Sequence, residues 1–199
     1  MTLDVDGNGR KSQWAGHFKF GSWLTQTKKP NVIVDLGTFT GVSAISFFMG
    51  HPAARVVTID KEDFWEGDER FNKIERHIGL FDDYVSDFDD RSVDILHIDG
   101  DHKYLSVLND FTKWIPKLKR DGVLLMHDTF NPSFFGPMGV FHAHAKEYRA
   151  MFLTDCGLGI STKDLDLYYN MLAVWGEQLV KYPIIETLHR MMYRVARKV

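Results

Sequence analysis

The segment "VIVDLGTFTGVSAISF", residues 32–47, decides the fold class of this chain. It begins with a short β-branched run that ends in Asp35 and Gly37, as buried strands of parallel sheets do. A glycine-containing turn follows, and "GVSAISFFMG", residues 41–50, then has the composition of a short helix ending on glycine. A strand followed at once by a turn and a helix is the repeating unit of α/β folds. The segment therefore predicts a parallel sheet with helical connections.

The same unit recurs along the chain. Further strands are predicted in "ARVVTID" (54–60), near Arg76–Leu80, in "SVDILHIDG" (92–100) and in "GVLLMHD" (122–128). Helices are predicted at Ser12–Thr27, in the charged "DERFNKIERHIGL" (68–80) ahead of the third strand, and in "YLSVLNDFTKWIPKLKRDG" (104–122). This alternation predicts right-handed crossovers between parallel strands.

The pattern changes after Pro132. "GVFHAHAKEYR" (139–149) predicts a helix, and "MFLTDCGLGIST" (151–162) predicts two strands broken at Cys156-Gly157. The tail, residues 164–199, is predicted to be helical, with an apolar stripe and a basic end. The stripe is Ile185, Leu188, Met191, Met192 and Val195, and the basic residues are Arg190, Arg194, Arg197 and Lys198. We therefore divide the chain into a lead-in and helix (1–30), a core domain (31–163) and a C-terminal helical extension (164–199).

Composition limits the classes of protein this chain can be. Its 199 residues are 44% hydrophobic and 14% aromatic, which suits one α/β domain with a real core. A net charge of −3 argues against a dedicated nucleic-acid binder. One cysteine excludes an internal disulfide framework and fits a reducing compartment. Without a signal peptide or an apolar run near the roughly 20 residues of a membrane span, we expect a soluble, cytoplasmic protein.

The turn after the first predicted strand has features of a ligand site. Its spacing is G-x-x-x-G between Gly37 and Gly41, unlike the G-x-G-x-x-G of dinucleotide folds, and the chain has no P-loop. Asp60 ends the second strand about 20 residues later, where an acid accepts hydrogen bonds from ribose hydroxyls. Either feature alone also fits ordinary packing or capping. Together they predict a ligand that carries a nucleoside.

These motifs resemble those of a known family. "VIVDLGTFTGVSAISF" with "VVTID" is similar to the binding signature of class I S-adenosylmethionine-dependent methyltransferases, in the branch that includes catechol O-methyltransferase. "VDILHIDGDHKYLSVLNDFTKWIPKLKRDGVLLMHDT" (93–129) resembles methyltransferases that tailor sugars and antibiotics or belong to glycan biosynthesis. The resemblance runs from Val32 to Lys163. It implies a Rossmann-like α/β fold, with a mostly parallel central sheet, an antiparallel final strand and helices on both faces.

The resemblance also implies a site for S-adenosylmethionine. Asp35, Gly37 and Gly41 would line the methionine part, Ser43 would lie near its carboxylate, and Asp60 would bind its ribose. The full set of cofactor-binding residues implied is Asp35, Gly37, Thr38, Phe39, Gly41, Ser43, Asp60 and Asp99.

A second concentration of polar residues is "HIDGDHKY", residues 97–104, directly after an apolar run. Asp99 ends the fourth predicted strand and Asp128 the fifth, so both carboxylates are expected at one rim of the sheet. Converging carboxylates suit a hard divalent cation such as Mg²⁺. His102 follows three residues after Asp99, and a histidine has a pKa suited to taking a proton from a hydroxyl. His97, within the strand, is interpreted as a core histidine.

The resemblance implies matching roles for this cluster. Metal-dependent relatives bind Mg²⁺ through the acid at Asp99 and through acids in the block that here reads His127-Asp128-Thr129. The metal ligands are accordingly predicted as Asp99, Asp128 and Thr129, with Asp101 in reserve as a ligand or base. His102 and Asp99 are the predicted catalytic residues.

The sequence thus predicts an O-methyltransferase that uses S-adenosylmethionine and Mg²⁺ to modify a hydroxyl of a sugar, glycan or small natural product. One alternative is a catalytically inactive cofactor-binding module, or a domain of a larger glycan-biosynthesis protein. An NAD(P) oxidoreductase is disfavoured by the glycine spacing. The loop 129–139 is either a wall or lid over the substrate or a packed loop. The C-terminal helix is either packed on the domain or a contact to a second copy or a fused domain.

Overall fold

The computed structural model describes residues 12–65, 69–131 and 133–181. Within them lie six α-helices and eight strands. The helices are α1 (Phe18–Lys28), α2 (Val42–Gly50), α3 (Phe81–Tyr84), α4 (Tyr104–Trp114), α5 (Phe135–His144) and α6 (Leu165–Trp175). The strands are β1 (Val32–Leu36), β2 (Arg55–Asp60), β3 (Glu75–Ile78), β4 (Val93–Ile98), β5 (Leu118–His127), β6 (Tyr148–Phe152), β7 (Leu158–Thr162) and β8 (Leu179–Lys181). None of the helices in these ranges is long and apolar enough to cross a membrane.

The eight strands form one sheet in the order β3-β2-β1-β4-β5-β7-β6-β8. The pairs from β3 to β5 are parallel, and the pairs β5–β7, β7–β6 and β6–β8 are antiparallel. The chain moves outward from β1 to β3 and then returns to place β4 on the other side of β1. Such a reversal leaves a crevice at the carboxyl ends of β1 and β4. The predicted Rossmann-like fold, mostly parallel with antiparallel strands at the end, is confirmed.

Both faces of the sheet are buried, because successive side chains on a strand point to opposite sides. Ile33 and Ile95 pack with α1, α2 and α6 on one face. Val34 and Leu96 pack with α4 and α5 on the other. This double burial explains why the central strands read as continuous apolar runs in the sequence. It also confirms the prediction of helices on both faces.

The predicted N-terminal helix is capped by Ser12, the first residue of its predicted range. The Ser12 hydroxyl accepts a hydrogen bond from the Trp14 N–H at 3.2 Å. The first turn, Gln13–His17, is a 3₁₀ helix, and α1 continues from it to Lys28. Trp14, Phe20 and Leu24 are buried in the core. The start of the described chain is therefore part of the domain.

The charged helix predicted ahead of β3 was wrong. Among residues 69–78 the chain makes only a short 3₁₀ turn, Glu69–Phe71, and then the strand Glu75–Ile78. This strand lies at the edge of the sheet, where charged side chains remain in water and discourage pairing with other chains. Glu75 accepts two hydrogen bonds from the Arg55 guanidinium of β2, at 2.8 and 2.9 Å. The strand predicted near Arg76–Leu80 is thus present, whereas the charged residues ahead of it carry no apolar period that distinguishes a helix from a turn.

Two predictions after Pro132 also need correction. The helix predicted at 139–149 begins earlier and ends at His144, and the chain from Tyr148 is strand β6. The tail is helical only at Leu165–Trp175 among the described residues, because Gln178 then turns back to Trp175 and β8 pairs with β6. The predicted break at Cys156-Gly157 lies, as expected, between strands β6 and β7. The apolar stripe and basic end of residues 182–199 lie outside the described residues.

Candidate functional site

A cleft of about 900 Å³ opens at the carboxyl ends of the central strands. The reversal of strand order between β1 and β4 places it there. Most of the predicted site residues line it, namely Gly37, Thr38, Phe39, Ser43, Asp60, Asp99, His102 and Asp128. The side chains of Asp35 and Thr129 are fully buried and do not line it, and Gly41 is likewise buried and does not line it.

Gly37 is required where β1 meets β4. Its φ is +108°, and a Cβ at this position would lie 2.0 Å from the carbonyl oxygen of Asp99. The Gly37 N–H donates to the Ile59 carbonyl at 2.9 Å, and the Asp99 N–H donates to the Leu36 carbonyl at 2.8 Å. The backbone after β1 therefore fits closely between its neighbours. Only glycine allows this approach.

Asp60, at the end of β2, organises the same turn. One carboxylate oxygen accepts a hydrogen bond from the Phe39 N–H at 2.9 Å, and the other accepts from the Glu62 N–H at 3.3 Å. The Phe39 backbone has φ +41°, an unfavourable conformation for a residue with a large side chain. The Asp60 contact helps to hold it. Asp60 still faces the cleft, where it can accept further hydrogen bonds.

The Asp35 carboxylate, which is fully buried, is the centre of a polar network under the cleft. Its Oδ2 accepts hydrogen bonds from the hydroxyls of Ser43, at 2.8 Å, and Thr58, at 3.1 Å. Its Oδ1 lies 2.6 Å from Nδ1 of His97. Because Asp35 is fully buried and does not line the cleft, it supports the cleft through Ser43, which does.

His97 extends this network to the N-terminal segment. Its Nε2 accepts a hydrogen bond from the indole N–H of Trp14 at 3.0 Å. Nε2 therefore carries no proton, and Nδ1–H is the donor to Asp35. The interpretation of His97 as a core histidine is confirmed. Trp14 lines the cleft as well, and neither it nor Thr58 was predicted as part of the site.

Asp99, His102 and Asp128 form an acid–histidine cluster at the other end of the cleft. One ligand atom from each lies within 4.8 Å of the others, a geometry able to hold a cation. Nε2 of His102 is 2.8 Å from Oδ2 of Asp128. The parallel strands β4 and β5 bring the two acids together, as predicted. The third group beside them is the His102 imidazole, since Thr129 lies in the protein interior.

His127 balances the two carboxylates of this cluster. Its Nδ1 lies 3.4 Å from Asp99 and 3.4 Å from Asp128. Burial lowers the pKa of His127, but the two carboxylates outweigh burial and raise it to about 10. Burial would conversely raise the pKa of Asp128, yet hydrogen bonds from His102 and His127 hold it well below its usual range. The cluster is therefore charged at neutral pH, with His127 as an imidazolium that the sequence analysis left unassigned.

The His102 ring is held on two sides. Its hydrogen bond to Asp128 raises the pKa of His102, while partial burial opposes the rise. One face of the ring stacks on Phe134, with ring centroids 4.0 Å apart and planes 15° from parallel. Phe134 belongs to the loop 129–139, so this loop packs directly against the cluster. The stack limits the orientations available to the imidazole.

Asp110 is a further cleft residue that the sequence analysis missed. It lies on α4 and is only 8% exposed, and burial raises the pKa of its carboxyl to about 6. The one signal in the sequence is its position three residues after Val107, on the apolar stripe of that helix. A buried acid facing a cleft is suited to accept hydrogen bonds from a ligand.

Replacement of Asp35 by alanine should destabilise the protein strongly. The variant leaves His97, Ser43 and Thr58 with buried groups that have lost their partner, and we expect the free energy of unfolding to fall by about 3 kcal/mol. Urea denaturation followed by circular dichroism measures it. Asp63→Ala, which removes an exposed carboxylate paired with Arg76, should change stability by less than about 0.5 kcal/mol. Equal effects of the two variants would contradict the role given to the Asp35 network.

Comparison with known proteins agrees with this geometry. Residues 34–129 match the family described as a methyltransferase domain. The chain is 36% identical over 140 residues to the uncharacterized protein y4gI of Sinorhizobium fredii, a match covering 59% of this chain and 15% of that protein. The chain thus spans only a small part of the length of this relative.

Solved structures share the fold. Cofactor-bound Rv0187 from MTB superposes with a TM-score of 0.64 at 17% identity, covering 79% of this chain and 83% of that one. The O-methyltransferase TomG of Streptomyces achromogenes, involved in tomaymycin synthesis and crystallised with SAM, gives 0.61 at 19% identity, covering 77% and 81%. At these identities the likeness concerns the fold, and the matched family agrees with the glycine turn and strand order. Residues 34–129 of the chain therefore match a methyltransferase domain, and the solved structures share the fold in which that match lies.

Proposed function

We propose that this protein is an S-adenosylmethionine-dependent O-methyltransferase, assisted by Mg²⁺, that modifies a hydroxyl of a sugar, glycan or small natural product. The observation that carries the proposal is the arrangement of one cleft. The glycine turn and Asp60 lie on one part of its wall, and the acid–histidine cluster lies on another. A nucleoside-bearing methyl donor and an acceptor hydroxyl can thus meet in a single cavity.

The cofactor side of the proposal follows from the hydrogen-bonding capacity of the wall. Asp60 would accept hydrogen bonds from the ribose hydroxyls. The backbone of Gly37, Thr38 and Phe39 would pass close to the methionine part, with the Ser43 hydroxyl near its carboxylate. Asp35 would act through Ser43, whose hydroxyl it holds at 2.8 Å.

A divalent cation fits the acid–histidine cluster. Asp99 and Asp128 offer carboxylate oxygens, which Mg²⁺ prefers, and both face the cleft. The predicted third ligand, Thr129, does not line the cleft, and His102, which lies beside both acids, is assigned to proton transfer. Bound there, the cation would supply Lewis-acid activation of the acceptor hydroxyl.

His102 is the proposed general base. With its Nε2–H donated to Asp128, Nδ1 is the nitrogen that takes the proton from the acceptor hydroxyl. Asp128 then stabilises the imidazolium that forms, and the stack on Phe134 keeps the ring in place. Methyl transfer is an in-line displacement at the methyl carbon, in which the acceptor oxygen bonds to carbon while the carbon–sulfur bond breaks and S-adenosylhomocysteine leaves. Positioning therefore accounts for most of what the protein must supply.

The proposal also covers the acceptor, the larger protein that contains this domain and its compartment. The sugar or glycan acceptor rests on the resemblance of residues 93–129 to glycan- and antibiotic-tailoring enzymes. Because the relative y4gI is much longer than this chain, we propose that the domain works within a larger glycan-biosynthesis protein in the cytoplasm. A contact with a fused domain or a second copy through the chain after β8 is part of the same proposal.

The decisive experiment is a methyl-transfer screen. The protein is incubated with radiolabelled S-adenosylmethionine and a panel of sugar nucleotides and glycan fragments, with and without Mg²⁺. Mg²⁺-dependent transfer to a hydroxyl supports the proposal. Cofactor binding without transfer to any acceptor would instead identify a catalytically inactive binding module.

Cofactor binding should depend on Asp60. Calorimetry is expected to show S-adenosylhomocysteine binding by the wild-type protein and a 10- to 100-fold weaker affinity for Asp60→Ala, because ribose hydrogen bonds to a charged group are lost. Glu62→Ala removes an exposed acid nearby that does not line the cleft, and it should bind as the wild type does. Binding of NAD in preference to S-adenosylhomocysteine would overturn the assignment.

Removal of divalent cations should suppress the reaction. EDTA is expected to lower the initial rate at least about tenfold, and added Mg²⁺ should restore it. Mn²⁺ binding measured by calorimetry gives a second readout, which Asp99→Asn and Asp128→Asn should abolish. Asp89→Asn is the matched control, because Asp89 is exposed and does not line the cleft. Full activity in EDTA would exclude the metal.

Loss of the His102 imidazole should lower the rate of methyl transfer without weakening the binding of the cofactor. His102→Gln is expected to slow methyl transfer about 10²- to 10⁴-fold and to leave the affinity for S-adenosylhomocysteine within about twofold. His51→Gln, in the connection between α2 and β2, controls for the loss of a histidine elsewhere. An unchanged rate in His102→Gln would remove His102 as the base.

A further inference from the structure

A second cavity lies at the opposite end of the sheet from the cofactor cleft. It has a volume of about 590 Å³, and none of its lining residues lines the first cleft. Its walls come from the turn before β4, the end of α4, the start of β5, the end of α5 and the end of β7. We call it the basal cavity. The volume falls within the range of about 300–1,000 Å³ typical of small-molecule sites.

The wall of the basal cavity is strongly cationic, although the chain as a whole has a net charge of −3. Its charged lining residues are five cations and one acid: Arg91, Lys119, Arg120, Lys146, Lys163 and Glu147. Like charges gathered around one cavity repel each other. An arrangement of this kind becomes favourable when an anion enters.

Two of the cations are already neutralised. Lys163 pairs with Glu147 at 3.1 Å, and Lys119 pairs with Asp94 at 2.7 Å. The other oxygen of Asp94 accepts hydrogen bonds from the backbone N–H groups of Asn31 and Val32, both at 2.9 Å. Both carboxylate oxygens of Asp94 therefore have partners, and Asp94 does not neutralise the remaining cations.

Three cations are left over. Arg91, Arg120 and Lys146 form no ion pair with any residue in the described ranges, and all three are exposed to solvent. Arg91 is also held in a left-handed backbone conformation, with φ +58°, and its N–H donates to the Pro116 carbonyl at 3.0 Å. Two of the three are arginines, whose planar guanidinium groups match the oxygens of a phosphate in pairs.

The deeper lining of the cavity is apolar. Phe111, Ile115 and Leu118 contribute carbon surface, and Leu124 is almost fully buried behind them. Such a lining can cover the carbon part of a ligand whose charged group meets the cations at the rim. The cavity thus combines the two properties needed to bind an organic anion.

We propose that the basal cavity binds a phosphorylated small molecule. The phosphate oxygens contact Arg91, Arg120 and Lys146, and the carbon part of the ligand lies on Phe111, Ile115 and Leu118. This site is separate from the methyl-transfer cleft and does not depend on the function proposed for it.

Calorimetry with inorganic pyrophosphate and with phenyl phosphate tests the proposal. Both titrations are done on the full chain saturated with S-adenosylhomocysteine, and again without it, so that binding in the first cleft is recognised. We expect one pyrophosphate per chain, with or without S-adenosylhomocysteine. Phenyl phosphate should bind more tightly than inorganic phosphate titrated in parallel, because its ring covers the apolar lining.

A pair of double variants identifies the site. Arg91→Gln with Arg120→Gln should weaken pyrophosphate binding at least about tenfold. Lys19→Gln with Lys73→Gln makes the same change in net charge at two exposed lysines that line neither cavity, and it should leave the affinity within about twofold. Circular dichroism confirms that each variant is folded, and Lys146→Gln provides an independent single change. The absence of saturable binding by the wild-type protein, or an equal loss in both double variants, would overturn the proposal.

Discussion

The Asp35 carboxylate at the end of β1 is the interaction on which the cleft depends. A carboxylate removed completely from water is costly unless donors of hydrogen bonds surround it. Its donors come from three elements, through Ser43 of α2, Thr58 of β2 and His97 of β4. His97 in turn binds Trp14, so the N-terminal segment joins the same network. Because every member has its partner, the network favours one arrangement of these elements and rigidifies the base of the glycine turn.

In the acid–histidine cluster, the carboxylates are stabilised by an opposite charge. Asp99 and Asp128 approach each other because β4 and β5 run parallel and end at the same rim. Two nearby carboxylates would repel, and the protonated His127 behind them supplies the opposite charge. His102 adds a hydrogen bond from the solvent side. The acids can therefore remain ionised in a partly buried position, which is the state in which they can bind a cation or stabilise an imidazolium.

Local patterns in the sequence were sufficient for the central strands, the glycine turn and the two acids at the strand ends. Those features are set by neighbours in the chain and by the common direction of parallel strands. The missed features depend on contacts distant in sequence. Trp14 meets His97 across 83 positions, and Phe134, the residue before α5, stacks on His102 in the turn after β4. The helix wrongly predicted ahead of β3 has a different cause, since the exposed, charged residues of that segment carry no apolar period.

The charges of this chain are distributed unevenly between the two cavities, which its net charge does not show. Strand β5 ends beside Asp128 and begins at Leu118, next to Lys119 and Arg120, so one strand connects an acidic cleft with a cationic cavity. The negative charge of the cleft and the positive charge of the basal cavity nearly cancel. The net charge of −3 therefore reveals neither of them. A sum of charges bears on the surface as a whole, whereas recognition depends on the few groups that face one cavity. The modest net charge therefore argues against a long polyanion spread over the surface, but it leaves room for a small anion bound at one end of the sheet.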